Sequence, residues 1–340
     1  MSPIWITGTG AVGPLGLNWH GHTLPEPPEP HSEETFRSVP EGLPLKEGFP
    51  PGALRWLDAC SLWWLSASRQ ALSGGQINPE TAQVVGLGWG STPPVQSLIE
   101  QARGNGFSAM APALFPYSVG NAPAAQAGIL LKLRGAAVTL CAKEAAGLAA
   151  VAEASAHMEA GFFKACVAGG VDHLDPYLRR VLRPLRRGAG VPAGEGAYAL
   201  VLERWENAPE IALARIAAWT GRSVACVPQR FPEGTGLLDH TLEDLLRQTG
   251  WAANDVDLCV LPADTPALRE ASVLAAARRV PRAKPLAFQQ ALGACGASWA
   301  GAAALAAREL ASGRSRRAIL VALATGGCSW GLALERPNAQ

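Results

Sequence analysis

Cys141 ends an apolar run in "AAVTLCAKEAAGLAAV", residues 136–151, directly ahead of an alanine-rich stretch of helical character. A thiol so placed would feel the positive end of the helix macrodipole and ionise more readily, as a nucleophile requires. Three other segments carry residue types that could do chemistry. "GTGAVG" at 8–13 follows a strand-like run and meets the glycine spacing of a dinucleotide-binding turn. Pro14 interrupts the helix that would receive the pyrophosphate, and "TLPEPPEP" stands where a second strand with its ribose-binding acid belongs, so dinucleotide binding is not expected. His20 and His22 form "HGH" without Cys, Asp or His at usable ligand spacing, and read as a solvated loop; no metal site is expected. "YLRRVLRPLRRG" gathers Arg179, Arg180, Arg183, Arg186 and Arg187, either as an exposed face or as a dock for a phosphorylated, acidic partner.

The elements that must position these groups are those of a globular α/β chain. Its 340 residues are 48% hydrophobic, enough for a sizeable core, and 29 Lys and Arg balance 28 Asp and Glu. A formal charge of +1 gives no global field toward nucleic acid or an anionic membrane. Seven scattered cysteines, none in a CxxC pair, argue against disulfides and zinc, and a reducing cytoplasm is the expected compartment. The opening "MSPIWITGTG" does not read as a signal peptide. The uncharged stretch 318–334 is divided by Thr325, Gly326 and Gly327, which predicts two strands and a turn rather than a membrane span.

Along the chain, "PIWIT" reads as a strand ending in a glycine-rich turn, and residues 24–51 as a surface excursion. A helix is expected at 54–72, then a strand "AQVVGLGWG", an apolar helix at 121–131, and a βαβ unit of strand 136–141, helix 145–160 and strand "KACVAGGV". After the strand "GEGAYALVLERW" a second series follows: strand "IALARIAAW", helix 240–249, strand "DLCVLPA", helices 267–279 and 297–311, and the closing strand pair. Two successive α/β series suggest one compact fold built from similar halves, 1–205 and 206–340.

Taken together, the segments resemble the β-ketoacyl-acyl carrier protein synthases of the thiolase superfamily over nearly the whole chain. "ITGTGAVGPLG" is similar to the family's first strand and turn. "LRGAAVTLCAKEAAGLAAV" with "VAGGVD" resembles the nucleophile segment, and "RPLRRGAGVPAGEGAYALVLE" the Arg-Pro to Gly-Glu-Gly-Ala segment. "LGACGASWAG" is similar to the LGAAGA turn, and "ATGGCSWGLAL" to the final hairpin. The resemblance implies a five-layer αβαβα fold, no cofactor, and a dimer in which the strand before the nucleophile, here 136–141, pairs across a two-fold axis.

It also relocates the reactive position. The family cysteine lies nine residues after the glycine of "LRG" and twenty-four before the alanine of "AGG"; counted from Gly135 and from Ala168, that position is Glu144. Cys141 is therefore expected to be an inert, packed thiol within the strand. The two histidines that stabilise the enolate in condensing synthases fall, by the same resemblance, on Leu261 or Pro262 and on Gln290; Pro285 takes the family's lysine position and Thr325 the gatekeeping phenylalanine. No histidine follows His240. A carboxylate is a poor nucleophile toward a thioester, and Leu, Pro and Gln cannot replace imidazoles.

The resemblance is accordingly to a degenerate member, similar to chain-length factors of type II polyketide and aryl-polyene systems. These pair with an active ketosynthase subunit and an acyl carrier protein. By that analogy Phe115 and Tyr117 are candidates for the wall of the acyl tunnel, and Arg179, Arg183, Arg186 and Arg187 for carrier-protein docking. Two alternatives stay open: a malonyl-carrier-protein decarboxylase, and a homodimeric acyl-binding pseudo-enzyme that acts as a scaffold.

Overall fold

The glycine-rich opening segment is strand throughout, not a strand and a turn. In the computed structural model, which describes residues 2–17, 36–75, 77–90, 92–186, 190–224 and 236–337, β1 (Ile4–Gly13) reverses only at residues 14–15, and Gly16–Leu17 pairs back on Val12 and Gly13. Its glycines serve packing. A Cβ on Gly8 or Gly10 would lie 2.1 or 2.0 Å from the carbonyl oxygens of Ala71 and Ala67, so helix α1 (Ala59–Ala71) rests directly on the strand. Asp58 starts that helix by accepting from the Ser61 N–H at 3.0 Å.

Four more strands of the main sheet's path lie in the first half: β2 (Ala82–Leu87), β3 (Ala137–Cys141), β4 (Ala165–Asp172) and β5 (Gly196–Arg204); Phe36–Arg37 and Ala193–Gly194 pair separately. Five belong to the second: β6 (Ala214–Ser223), β7 (Leu258–Val260), β8 (Lys284–Pro285), β9 (Arg317–Ala324) and β10 (Cys328–Glu335). The lateral order β3-β2-β4-β5-β1 is repeated as β8-β7-β9-β10-β6, and the two halves join where Ile4, Trp5 and Ile6 pair antiparallel with Ile216, Arg215 and Ala214. Each half has the same mixture of directions. β2 runs parallel to β3 and β4, β7 runs parallel to β8 and β9, and the other neighbours are antiparallel.

Helices fill the remaining layers. α4 (Ala146–Glu159) and α9 (Ser298–Ala311) touch strands of both halves and lie between them. α1 and α3 (Ala122–Leu131) cover the outer face of the first half, and α6 (Leu237–Thr249) and α7 (Pro266–Arg279) that of the second, which completes the αβαβα order. A central core joins Leu148, Leu200, Leu258, Trp299, Leu320 and Leu332 from both halves. Flanking clusters around Trp64 and Val85, and around Leu245 and Ile319, seat the outer helices. Burial on all sides explains why α4 is alanine-rich rather than amphipathic.

Several boundaries differ from the sequence expectation. The helix expected at 54–72 is a short turn, Pro51–Leu54, followed by α1, and the strand expected at 211–219 is β6, displaced toward the C-terminus. Three helices were not anticipated, α2 (Pro93–Asn105), α5 (Pro176–Leu185) and the short α8 (Phe288–Leu292); the first two begin with proline in the first turn, where its missing N–H is not needed. The stretch 318–334 is the β9–β10 hairpin, and no helix of the described residues is long and apolar enough to cross a membrane.

Candidate functional site

The connection from β3 to α4 is one tight turn, Lys143–Ala145, entered through Lys143 with φ at 47°, a conformation that costs energy for any residue with a Cβ. Glu144 sits at its centre. Its carboxylate accepts from the Thr325 N–H and from Thr325 Oγ1, each at 3.0 Å, while Lys143 Nζ donates to the Thr325 carbonyl oxygen at 3.3 Å. The turn between β9 and β10 is thus tied to the start of α4. Gly296 closes the other side: a Cβ there would lie 2.2 Å from the Lys143 carbonyl oxygen.

Asp172, at the end of β4, organises the surroundings. It is fully buried, and its carboxylate accepts from Gly88 and Trp89 at 2.9 and 2.7 Å and from Ala297 at 3.0 Å. One side chain therefore holds the loop after β2 and the turn before α9 against the Glu144 segment. Burial pushes this carboxyl up to about 6, with the backbone N–H groups opposing the shift. Glu195 ties neighbouring segments together in the same way, accepting from Val39 at 3.0 Å, Leu174 at 2.9 Å and Arg179 at 3.1 Å.

Around the second-half positions the chemistry is that of amides and apolar side chains. Pro262 is buried and Leu261 half-buried; the Pro262 carbonyl oxygen accepts from Ser272 Oγ at 2.6 Å. Gln290 donates to the Gly190 carbonyl oxygen at 2.9 Å. Gln289 is the more buried amide, accepting from Ala263 at 3.0 Å and donating to Asp264 at 2.8 Å. Burial raises the Asp264 carboxyl; the Arg186 guanidinium and the Gln289 amide pull it down, and the Glu144 carboxylate pushes it further up. Asp264 is therefore within electrostatic reach of both Arg186 and Glu144. The described histidines lie elsewhere: His157 stacks on Phe163, His173 is edge-on to Trp63, and His240 is in the first turns of α6.

The other sequence candidates are distributed differently. Cys141 ends β3 as expected, yet it is exposed rather than packed, because β3 is the last strand of its half and none of the described strands pairs with its far edge. It shares a small cavity of about 290 Å³ with Lys143, Thr325, Cys328 and Trp330. Phe115 is 64% exposed and Tyr117 half-buried, in the turn Pro112–Tyr117, so both stand on the surface of this chain. On α5, Arg180 and Arg183 are exposed, whereas Arg179 is engaged by Glu195 and Arg186 donates to the Ala294 carbonyl oxygen at 3.4 Å. His20, His22 and Arg187 lie outside the described residues.

Sequence reasoning missed Asp172 and Asp264. The first was visible as the acid ending "VAGGVD", a polar residue where a buried strand meets its loop; the second stood in "PADTP" without any distinguishing pattern.

Residues 43–208 match the family described as Beta-ketoacyl synthase, N-terminal domain. No curated protein sequence matches the chain significantly. Among solved structures, a beta-ketoacyl synthase from Burkholderia phymatum STM815 superposes with a TM-score of 0.81 at 18% identity, over 99% of this chain and 100% of that one. The complex AntDE:AntF, a type II PKS acyl-carrier protein with its ketosynthase bound to the hexaketide, gives 0.81 at 17% identity, over 98% and 99%. The ishigamide ketosynthase/chain length factor gives 0.81 at 23% identity over the same shares. The chain has the thiolase-like ketosynthase fold from end to end.

Proposed function

We propose that this chain is a non-catalytic, chain-length-factor-like subunit that pairs with an active ketosynthase and contributes tunnel wall to a growing acyl or polyketide chain. The observation that carries the reading is Glu144. At the turn where the resemblance implies a thiolate stands a carboxylate held by two hydrogen bonds from Thr325, with Leu261, Pro262 and Gln290 at the positions of the imidazoles. Such a group neither attacks a thioester nor stabilises an enolate. A decarboxylase role is disfavoured because an anionic Glu144 would repel a malonyl carboxylate.

The pairing surface is supported by β3. Its outer edge has no partner among the described residues, its side chains are exposed or half-buried, and Ala137 shares a surface cleft with Ile129, which is 69% exposed. An open, largely apolar strand edge of this kind is a template for another chain. Phe115 and Tyr117, on the surface of this chain, would become tunnel wall only once a partner covers them. Carrier-protein docking is supported on α5, where Tyr177, Val181 and Leu185 form an exposed stripe at four-residue spacing beside Arg180 and Arg183. That combination suits an acidic amphipathic helix.

The test is co-expression with an intact ketosynthase, followed by size and mass analysis and an assay with carrier protein and extender. The expected result is a heterodimer whose condensing activity resides in the partner, with none in this chain alone or in Glu144→Cys. Carbon–carbon bond formation by this chain, purified free of other synthases, would overturn the reading.

A further inference from the structure

On the outer side of the second half, α7, the ends of β7 and β8 and the segment leading into α8 (Phe288–Leu292) enclose a groove of about 530 Å³. That volume is within the range of small-molecule sites, roughly 300–1,000 Å³. The groove does not involve Phe115 or Tyr117. Leu261, Val273, Ala276, Val280, Pro285 and Leu286 make its walls apolar. Its uncharged polar side chains are bonded within the protein: Ser272 to the Pro262 carbonyl oxygen, Gln289 to Ala263 and Asp264, and Gln290 to the Gly190 carbonyl oxygen.

Among the described residues one charged side chain lines the groove, Arg269, and no carboxylate does. Its guanidinium donates to the Gly190 carbonyl oxygen at 3.3 Å and is exposed. A guanidinium has five donors in a planar fork that matches a carboxylate. Apolar walls and one cation select for a ligand with an apolar body and an anionic head.

We propose that this groove binds an aliphatic carboxylate, its chain along the walls formed by α7 and the residues before α8, and its head on Arg269. Removal of a chain from water drives the association, and the arginine selects the charged head over a neutral one. The groove borders the candidate site at Leu261, Pro262 and Gln290 but uses no residue of the Glu144 turn or of the exposed β3 edge, so the proposal stands whether or not the chain serves as a partner for a ketosynthase.

The experiment is calorimetric titration of the full chain with octanoate and, as the neutral probe, octan-1-ol. Octanoate is expected to bind saturably at one site and more tightly than octan-1-ol. Arg269→Gln should bring octanoate down to the level of octan-1-ol, a loss of about three- to fivefold for an exposed pair, and leave octan-1-ol unchanged. Val273→Asp should weaken both ligands at least about tenfold by setting a charge in the apolar wall. Both positions are exposed, and an unchanged thermal midpoint checks that folding is intact. Absence of saturable binding to the wild type, equal affinity for the two probes, or binding that survives both substitutions would each overturn the proposal.

Discussion

Asp172→Asn separates two opposing contributions at the residue that organises the Glu144 turn. Burial raises this carboxyl from 3.8 to about 6, so the folded chain holds the proton more tightly than the unfolded one. The stabilisation this gives is fully present below about pH 3.8 and is lost as pH rises through about 6; the whole span corresponds to about 3 kcal/mol. The variant does not titrate, so near neutral pH it is relieved of the buried charge. It also loses an acceptor. Its amide oxygen can serve Gly88 and Trp89, but its NH2 then faces the Ala297 N–H, and one orphaned buried donor costs about 1–3 kcal/mol.

At about pH 7 the two nearly cancel, and the variant should lie within about 2 kcal/mol of wild type. By about pH 4.5 most of the relief has gone, and the variant should fall behind by about a further 2 kcal/mol. Urea denaturation of both proteins at several values between about pH 4.5 and 7.5 reads the difference directly. A stability gap that is constant across this range, or that widens as pH rises, would refute the reasoning.

Three further outcomes follow from placement. Cys141→Ala should change stability by no more than about 1 kcal/mol, since the thiol is exposed, and should leave partner-dependent turnover intact; loss of turnover in a folded, assembled complex would give this cysteine a role. Phe115→Ala or Tyr117→Ala should shift product mass toward longer chains in the reconstituted pair, because a wall that loses volume admits more extension units; unchanged masses with assembly intact would remove these residues from the tunnel. Arg183→Glu combined with Leu185→Asp should weaken carrier-protein binding at least about tenfold by surface resonance, with an unaltered melting curve, and equal affinity would place docking elsewhere.

The fold was largely legible because its signals are redundant. Each buried strand reads as an apolar run, α4 and α9 as alanine-rich helices enclosed by two halves, and the order of the elements repeats. Where a signal was single it was misread. The glycines of β1 carry the pattern of a turn, yet Gly8 and Gly10 are required because α1 approaches the strand too closely for a Cβ, a fact about a helix some sixty residues away. α5 was hidden because five arginines in twelve residues look like surface, whatever their secondary structure; only its cap on Asp175, which accepts from Tyr177 and Leu178 at 2.7 and 3.2 Å, and its buried Leu178 and Leu182 make it a helix.

At the site the limit was of another kind, because its meaning is in pairs that sequence separates. Glu144 and Thr325 each read as a loss: one replaces a nucleophile, the other a gatekeeping ring. In the fold they are one contact, a carboxylate accepting both the N–H and the hydroxyl of the same residue across 181 positions of chain. A phenylalanine in place of Thr325 would keep the backbone N–H but supply no hydroxyl, and a cysteine in place of Glu144 would leave that hydroxyl without its acceptor. The two residues are therefore complementary, each supplying what the other needs, and together they fix the β9–β10 turn on the start of α4. On the proposed non-catalytic reading, such a coupling leaves the turn a structural task in place of a chemical one. The same reading expects Glu144→Cys to remain without condensing activity, because that change would unmake the contact that holds the turn and supply no imidazole.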